Sequence, residues 1–478
     1  MFIKLKKILL FIQIYFIHFL MNFIKSVLFL NIITSVLIYL KYLKYNFIYL
    51  NYNYFNIQKG LNITFQNKIK KKIKIGTFTI GLKNGGRARI TSLLLNYLNK
   101  INIFDIYLLT LKVKEIDEYI INQKNIKRIL IKIYNIENLI KEIKRKKINI
   151  LIYQLSNRKE ISFLNKIKNI KIIFYLHQSL FYWIYSNYLE FKYLYKEYQN
   201  SKYIVSLVPF ENNYLFKKWG INSILMNNFV TFEYNCIIPS NLLSKEILMV
   251  GRGADKYKRF NLGIQSMEYI IEEIFECNMK IISEIEYIFS LINLVNNLNL
   301  ENRIKFIGFT VTPEIYFKNA SIHFFPTLSE SFGLVLSETK IYGIPNILVG
   351  LDYVSIAKGG TFIIYDDSPE SIAREAIKIL KNDKYKKELG REARLSMEKF
   401  QNKILAKRWI NLILSIYNND TYYEVLRQKD EIGYNNIIID TLKRQIQILI
   451  NRNNYFENVT INNIGNFSYL EQINDNII

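Results

Sequence analysis

Cysteine and histidine are scarce in this chain of 478 residues, which contains two cysteines and three histidines. Cys236 and Cys277 form no Cys-x-x-Cys pair, so the sequence indicates neither a disulfide framework nor a zinc site. The three histidines, His18, His177 and His323, are too far apart in sequence to suggest a metal cluster. We therefore expect no bound metal ion and no cofactor.

Acidic residues are also few. The chain contains 40 aspartates and glutamates and 65 lysines and arginines, which gives a formal net charge of +25. An excess of this size invites a nucleic-acid or anionic-membrane interpretation. The lysines, however, are scattered through every segment among isoleucine, asparagine and tyrosine, as an AT-rich coding sequence would produce. The densest basic run, residues 68–74, indicates a solvated linker. We expect no nucleic-acid partner.

The N-terminus carries two long apolar runs, at residues 8–24 and 27–40, each flanked by lysines. The first has nearly the minimal length for spanning a bilayer, and the second is shorter. A single signal-anchor, a two-helix hairpin and a cleaved signal are the alternatives, and the lack of a small-residue processing site disfavours cleavage. We expect residues 1–45 to anchor the protein to a membrane and residues 46–72 to form a basic linker. Lysines on both flanks favour a hairpin, with the catalytic body on the cytosolic face.

The body of the chain alternates short apolar runs with helical periods, which predicts a doubly wound α/β fold. The boundary between two successive domains falls near Ile238–Ser240, giving domains at residues 73–239 and 240–400. Ligands of such folds bind beyond the carboxyl ends of the strands. The first set of predicted strands is 75–80, 103–109, 148–153, 172–176 and 203–207. The second set is 247–250, 280–282, 305–307, 322–325, 346–349 and 362–364.

Two glutamates, Glu330 and Glu338, lie eight residues apart in a segment that begins at Pro326 and ends at Pro345. Pro326 closes a predicted buried strand, and Gly343 with Pro345 ends the short helix that follows. At a rise of about 1.5 Å per residue, eight residues span about 12 Å, close to the reach from a hexose across a diphosphate to a ribose. We therefore expect Glu330 to hold a sugar and Glu338 a ribose.

The start of the same helix predicts an anion site. With Ser329 or Ser331 as the capping residue, the backbone amides of the next residues have no partner inside the helix. These amides belong to Phe332, Gly333 and Leu334. Together with the positive end of the helix dipole they favour an anion, which we expect to be a diphosphate.

The segment resembles the Glu-x7-Glu signature of retaining glycosyltransferases of the family 4 type, which have two facing Rossmann-like domains, the GT-B fold. The resemblance implies that Glu330 contacts the transferred sugar near the reacting centre and that Glu338 binds the ribose hydroxyls of the nucleotide. It also implies donor contacts from the backbone of Phe332 and Gly333. An amphipathic helix with a solvated carboxylate is the alternative, which the neighbouring proline, Phe-Gly and Gly-x-Pro disfavour.

A glycine loop follows the first predicted strand and contains Gly85, Gly86 and Arg89. Its spacing is neither a dinucleotide fingerprint nor a P-loop, so NAD binding and kinase-like chemistry are not supported. The loop resembles the Gly-Gly-x-x-Arg loop of family 4 enzymes, which faces the donor phosphates and the acceptor. By that resemblance Gly85, Gly86 and Arg89 contribute to donor binding.

The second domain opens with a strand and a basic loop in which Arg252 and Lys258 can clamp a diphosphate. Fixed cations would stabilise the charge that the leaving nucleoside diphosphate gains, without a metal ion. The family carries Gly-Arg followed by Lys-Gly or Lys-Arg here. In this chain Arg259 stands where many members have glycine, and Lys256 is a competing candidate for the clamp.

His177 follows the fourth predicted strand of the first domain, residues 172–176, and is expected to point into the cleft. Several family members have a histidine at this location that contacts the donor sugar, and a structural role is the alternative for His177. His323 lies inside a strand and is expected in the core. By resemblance, residues 226–230 form the interdomain strand and residues 401–418, with Trp409, form a helix that crosses back to brace the first domain.

These features together predict a membrane-associated, metal-independent, retaining hexosyltransferase. It would move a sugar from a nucleoside-diphosphate sugar to a lipid-linked, glycan or protein acceptor. The resemblance covers residues 75–417, and the Asn-rich tail 419–478 receives no function. The alternatives are a sugar synthase or phosphorylase on the same fold and a non-catalytic, basic GT-B-like protein that binds polyanions.

Overall fold

A computed structural model describes residues 71–83, 85–112, 118–119, 121, 125–132, 135–186, 188–251, 257–284, 288–310 and 312–419. The chain divides into two units, Met1–Leu61 and Asn62–Ile478, and the first lies wholly outside these ranges. The expected membrane anchor, the linker up to residue 70, Arg252, Lys256 and the tail from residue 420 also lie outside them. Within the described ranges, no helix is both long enough and apolar enough to cross a bilayer.

The first domain contains a seven-stranded parallel sheet in the order β3-β2-β1-β4-β5-β6-β7. Strands β4, β5 and β6 are largely runs of apolar residues, as expected where helices cover both faces of a parallel sheet. The strands are β1 (Ile73–Thr79), β2 (Phe104–Thr110), β3 (Ile126–Leu130), β4 (Ile150–Tyr153), β5 (Lys171–Tyr175), β6 (Tyr203–Ser206) and β7 (Ile224–Leu225).

The second domain contains a six-stranded parallel sheet in the order β10-β9-β8-β11-β12-β13. Strands β11 and β12 of this sheet are buried along their whole length. The strands are β8 (Glu246–Val250), β9 (Asn278–Ile282), β10 (Ile304–Phe306), β11 (Ile322–Phe325), β12 (Asn346–Val349) and β13 (Thr361–Ile364). The predicted α/β fold with two parallel sheets is confirmed.

Helices connect the strands and cover the sheets. Those of the first domain are α1 (Gly86–Asn99), α2 (Ile136–Lys146), α3 (Arg158–Asn165), α4 (Leu180–Ser186), α5 (Tyr188–Tyr198) and α6 (Pro209–Trp219). The second domain contributes α7 (Phe260–Glu273), α8 (Phe289–Asn297), α9 (Glu314–Phe317), α10 (Leu334–Ile341), α11 (Pro369–Lys381) and α12 (Asp383–Ser396), and α13 (Asn402–Asn418) follows. At the start of α11 the Ser368 side chain accepts a hydrogen bond from the Ser371 amide, and Pro369 lies in the first turn.

Helix α13 returns to the first domain and packs against α1. Its Trp409 is fully buried, edge-on to Tyr175 at a ring-centroid distance of 5.0 Å. At the start of the helix, the Asn402 side chain donates to the Val230 carbonyl and accepts from the Val230 amide, both at 2.8 Å. The two chain segments that pass between the domains are therefore hydrogen-bonded to each other.

The expected interdomain strand at residues 226–230 is wrong, since the strand lies just before it, at Ile224–Leu225. The physical reason is that the backbone groups of Val230 bond to the Asn402 side chain and not to a neighbouring strand. Strands β3 and β7 were not predicted. Two of the five β3 residues are basic and β7 has only two residues, so neither strand gives a clear apolar pattern.

Candidate active site

The loops at the carboxyl ends of the strands of both sheets contact each other. The Ser331 hydroxyl, in the loop after β11, donates to the backbone carbonyl of His177, after β5, at 2.9 Å. The hydroxyls of Ser179 and Ser329 are hydrogen-bonded to each other across the same boundary. The two domains therefore face each other through these loops, and the residues between them line a cleft.

Helix α10 begins at Leu334, and its N-cap is Gly333, without a side-chain cap. The expectation that Ser329 or Ser331 caps this helix is wrong, because both hydroxyls bond to the first domain. Gly333 has a φ of 80°, a left-handed conformation that favours glycine. The preceding Phe332 ring is buried.

The glycine loop of the first domain reaches the start of α10. A Cβ atom added at Gly86 would lie 3.0 Å from Cδ1 of Leu334, so a side chain there would displace Leu334. Gly85 caps α1 with a φ of 84°, again in the left-handed region. The structure thus brings Gly85 and Gly86 beside the helix start that was predicted to bind an anion.

Lys258 and Glu330 form an ion pair between the loops that follow β8 and β11. Both side chains retain little exposure, 20% for Lys258 and 16% for Glu330. The Lys258 ammonium also lies 5.4 Å from the centroid of the Phe325 ring. Two residues predicted for the reacting end of the donor are therefore in direct contact, one basic and one acidic.

Glu338, on α10, pairs across the domain boundary with Arg89 of α1. The same carboxylate oxygen, Oε1, accepts a hydrogen bond from the Thr231 hydroxyl at 2.6 Å. Glu338 is only 1% exposed. Arg89 also donates to the Tyr119 hydroxyl at 3.2 Å. The residue predicted to bind ribose thus also ties the two domains together.

Arg259 occupies the N-cap of α7 with a φ of 51°, which explains why glycine suits this position in the resembled family. Its guanidinium is buried, donates from Nε to the Pro326 carbonyl at 2.5 Å, and pairs with Asp367. Arg259 therefore joins the Lys258 loop to the start of the Glu330 loop. The sequence analysis assigned Arg259 no function. The arginine at a position where the resembled family often has glycine was the signal that could have indicated a role for it.

His177 is partly buried, and its Nε2 lies 2.8 Å from Oε1 of Gln154, which also accepts from the Thr91 hydroxyl at 2.9 Å. Burial, with a smaller contribution from the Arg87 charge, lowers the pKa of His177 to about 3. His177 is therefore neutral at physiological pH and can act as a hydrogen-bonding group.

His323 lies in the core, as predicted. It is fully buried in β11 and its Nδ1 lies 2.7 Å from Oδ1 of Asn346 on β12. Burial lowers the pKa of His323 to about 4. Within the part of the chain that the structure describes, no cluster of three or more histidine, cysteine or carboxylate side chains is placed to hold a metal ion.

A pocket of about 1170 Å³ lies between the two domains, at one flank of the cleft. Pro209 and Phe210 of the first domain form one wall, and residues 352–356 of the second domain form another. Lys358 and Lys399 contribute positive charge to its lining.

Comparison with known proteins identifies the second domain. Residues 237–396 match the family model of glycosyl transferases group 1. An uncharacterized glycosyltransferase of Haemophilus influenzae is 23% identical over 218 residues, which cover 44% of this chain and 60% of that protein. The N-acetyl-alpha-D-glucosaminyl L-malate synthase of Bacillus anthracis is 26% identical over 189 residues, 38% of this chain and 47% of that protein. The matches thus span about half to three fifths of the length of these relatives.

Solved structures of similar fold extend the match to both domains. Sucrose-phosphate synthase from Thermosynechococcus elongatus has a TM-score of 0.62 at 16% identity, covering 73% of this chain and all of that one. Anabaena HepE in complex with UDP and glucose has a TM-score of 0.59 at 12% identity, covering 72% of this chain and all of that one. Residues 237–396 thus resemble the group 1 glycosyltransferases, and the two domains together have a GT-B-like fold.

Proposed function

We propose that this protein transfers a hexosyl residue from a nucleoside-diphosphate sugar to an acceptor, with retention of anomeric configuration and without a metal ion. The observation that carries the proposal is the contact between Lys258 and Glu330 in the cleft, beside the start of α10. A carboxylate for the sugar and a cation for the diphosphate are the two groups that this chemistry needs at the reacting bond. The group 1 glycosyltransferase domain supplies the family context.

The donor would lie along the loops that follow β8 and β11. Glu330 would contact the sugar near its anomeric carbon, and Lys258, with Arg252, would contact the diphosphate. Helix α10 adds the amide of Leu334, which has no partner inside the helix. The glycine loop at Gly85 and Gly86 would approach the phosphates from the first domain.

Glu338 would bind the ribose while remaining paired with Arg89. Its Oε1 already accepts from Arg89 and Thr231, so the ribose hydroxyls would use Oε2 or share Oε1. Donor binding and contact between the domains would then depend on the same carboxylate. This arrangement favours a donor that binds best when the domains are closed.

In the reaction, the bond between the anomeric carbon and the phosphate oxygen breaks and its electron pair goes to the diphosphate. Lys258 would neutralise the added charge, which lowers the barrier by electrostatic stabilisation. The acceptor hydroxyl would attack the same face of the sugar and pass its proton to the leaving phosphate. His177, which is neutral, would donate or accept a hydrogen bond at the sugar without carrying charge.

The acceptor is proposed as a lipid-linked, glycan or protein hydroxyl, with the protein held at a membrane by residues 1–45. A sugar synthase is the second candidate function. It is suggested by the Bacillus anthracis relative, which is named as an N-acetyl-alpha-D-glucosaminyl L-malate synthase, and by the similar fold of a sucrose-phosphate synthase. Small sugar phosphates and hydroxy acids therefore belong in the acceptor panel.

The test is nucleoside diphosphate release by the full chain in detergent, with UDP, GDP and ADP hexoses, with and without lipid and small-molecule acceptors. Glu330→Gln and Lys258→Ala should each lower turnover about 100-fold or more, because each removes a charge at the reacting bond. Glu272→Gln, an exposed substitution on α7, is the matched control and should behave as the wild type.

Wild-type turnover in Glu330→Gln or Lys258→Ala would contradict the site assignment. Failure of every donor to bind or react, combined with polyanion affinity that falls steeply with salt, would contradict the catalytic proposal itself. Turnover that requires inorganic phosphate as the glycosyl acceptor would indicate a phosphorylase.

A further inference from the structure

The backbone of Glu330 is held by a side chain from a distant loop. Its amide donates to the hydroxyl of Tyr353 at 3.2 Å. Glu330 lies between β11 and α10, outside both elements, so no strand or helix hydrogen bond fixes its amide. Tyr353 follows β12 and is only 8% exposed. The position of Glu330 therefore depends on where the Tyr353 hydroxyl is placed.

The ring of Tyr353 belongs to an aromatic cluster of the other domain. It lies 4.7 Å from the Phe181 ring and 5.6 Å from the Phe210 ring, measured between centroids. Phe181 and Phe210 stack on each other at 5.3 Å. All three rings are buried. Because Tyr353 is on the second domain and the two phenylalanines are on the first, this packing exists only while the domains are in contact.

The loop that carries Tyr353 is anchored independently of the ring. Lys340, fully buried on α10, donates to the carbonyls of Ile356 and Lys358, the latter at 2.7 Å. Asn227, after β7 of the first domain, donates to the Ser355 hydroxyl at 3.0 Å. The loop on the C-terminal side of Tyr353 is thus bonded to both domains, through its backbone to Lys340 and through the Ser355 side chain to Asn227.

We propose that Tyr353 is a positioning residue that couples contact between the two domains to the placement of Glu330. With the domains closed, Phe181 and Phe210 fix the ring and the hydroxyl fixes the Glu330 amide. With the domains apart, the ring loses two of its packing partners and the amide loses a fixed acceptor. The proposed consequence for transfer rests on the proposed function, whereas the mechanical coupling does not.

Hydrogen exchange at the Glu330 amide tests the coupling without any activity. Tyr353→Phe keeps the ring and removes the acceptor, so the amide should exchange about tenfold faster than in the wild type. Phe181→Ala, on the other domain, should also accelerate exchange at Glu330 through the ring. Phe275→Ala, at a position that is 76% exposed, is the control and should leave this exchange unchanged.

Unchanged exchange in Tyr353→Phe would contradict the hydrogen bond as a positioning device. Faster exchange in Tyr353→Phe without an effect of Phe181→Ala would contradict coupling between the domains. Hydrogen exchange is measured by mass spectrometry on peptides that cover residues 326–333. Thermal unfolding of the intact protein is measured in parallel, so that a local effect can be separated from general destabilisation.

Kinetics test the consequence for transfer. Tyr353→Phe should lower kcat about 10-fold while KM for the donor changes little, because a misplaced Glu330 affects the reacting bond more than nucleotide binding. Tyr353→Leu should lower kcat further, so Phe would rescue part of the loss. Tyr365→Phe, another tyrosine that lines the interdomain pocket, is the matched control.

Equal losses in kcat for Tyr353→Phe and Tyr365→Phe would overturn the positioning role in catalysis. An increase in donor KM with unchanged kcat would overturn it as well. If no donor supports turnover in the wild type, the proposed function fails, and the exchange experiment still decides the coupling.

Discussion

Arg259 combines a backbone conformation that favours glycine with a side chain that joins two loops of the site. Its φ of 51° is the conformation for which glycine is favoured, so arginine is strained there. The compensation is a buried guanidinium that bonds to the Pro326 carbonyl and to Asp367. These contacts fix the loops that carry Lys258 and Glu330 relative to each other.

His177 gives a pH prediction. Its pKa is about 3 in the folded protein, against an ordinary value of 6.5, so the unfolded chain binds more protons between these values. Stability from this group is therefore complete above pH 6.5 and falls as the pH drops toward 3. Between pH 7 and pH 5 the loss is at most about 2 kcal/mol, and partial exposure reduces it.

Urea unfolding at the two pH values checks this prediction. His177→Gln keeps a hydrogen-bonding side chain and cannot be protonated, so its free energy of unfolding should fall less between pH 7 and pH 5 than that of the wild type. An identical fall in both proteins would show that folding does not lower the pKa of His177.

At the scale of elements, helix α10 makes three sets of contacts. Its N-terminal end, at Gly333 and Leu334, faces the glycine loop of the first domain, and its body presents Glu338 to Arg89. Its opposite side carries Lys340, which holds the loop after β12. A helix of eight residues thus contacts the proposed donor site, the first domain and the Tyr353 loop.

The pair of Arg89 and Glu338 gives a stability prediction. Arg89→Ala would leave the buried Glu338 carboxylate without its cation and should lower the free energy of unfolding by about 3 kcal/mol. The double variant Arg89→Ala with Glu338→Gln should recover part of this loss, because it leaves no uncompensated charge. Urea unfolding of the wild type, both single variants and the double variant measures the coupling.

Additive effects in this cycle would contradict an energetic link between α1 and α10. Lys127→Ala removes an ion pair with Asp105 in which the lysine side chain is 56% exposed, and serves as the control. It should change stability by about 1 kcal/mol or less.

At the scale of the whole molecule, the chain passes between the domains twice, near residues 226–240 and 397–402. The first crossing leads from β7 to β8, and the second leads from α12 to α13. Asn402 and Val230 bond the two crossings to each other. Motion between the domains would therefore be concentrated at this paired segment.

Trp409 should contribute strongly to the packing of α13 against the first domain. Trp409→Ala removes the largest fully buried side chain and should lower the free energy of unfolding by about 3–5 kcal/mol. Trp409→Phe keeps an aromatic ring against Tyr175 and should lose less. Thermal unfolding measures stability, and small-angle X-ray scattering should show a broader distribution of sizes for Trp409→Ala.

An unchanged scattering profile in a destabilised Trp409→Ala protein would limit the role of this residue to core packing. Equal losses for the alanine and phenylalanine variants would contradict the importance of the contact with Tyr175.

Much of the fold was predictable because buried parallel strands are continuous apolar runs, which a sequence displays directly. Strands β11 and β12 were placed at their observed bounds. Strand β3 was not, because its lysine and arginine mask the apolar pattern. The serine caps expected for α10 failed because the hydroxyls of Ser329 and Ser331 bond across the cleft, to residues more than a hundred positions away.

By itself, the sequence determined two successive α/β domains, the segment with Glu330 and Glu338, and the basic loop with Lys258. These features rest on local order along the chain, such as apolar runs, helix ends and residue spacing. Only the tertiary structure decided that Lys258 contacts Glu330, that Arg89 pairs with Glu338, and that Tyr353 holds the Glu330 amide. Each of these contacts joins residues from separate strands or separate domains, and such pairs become neighbours only when the sheets have formed and face each other.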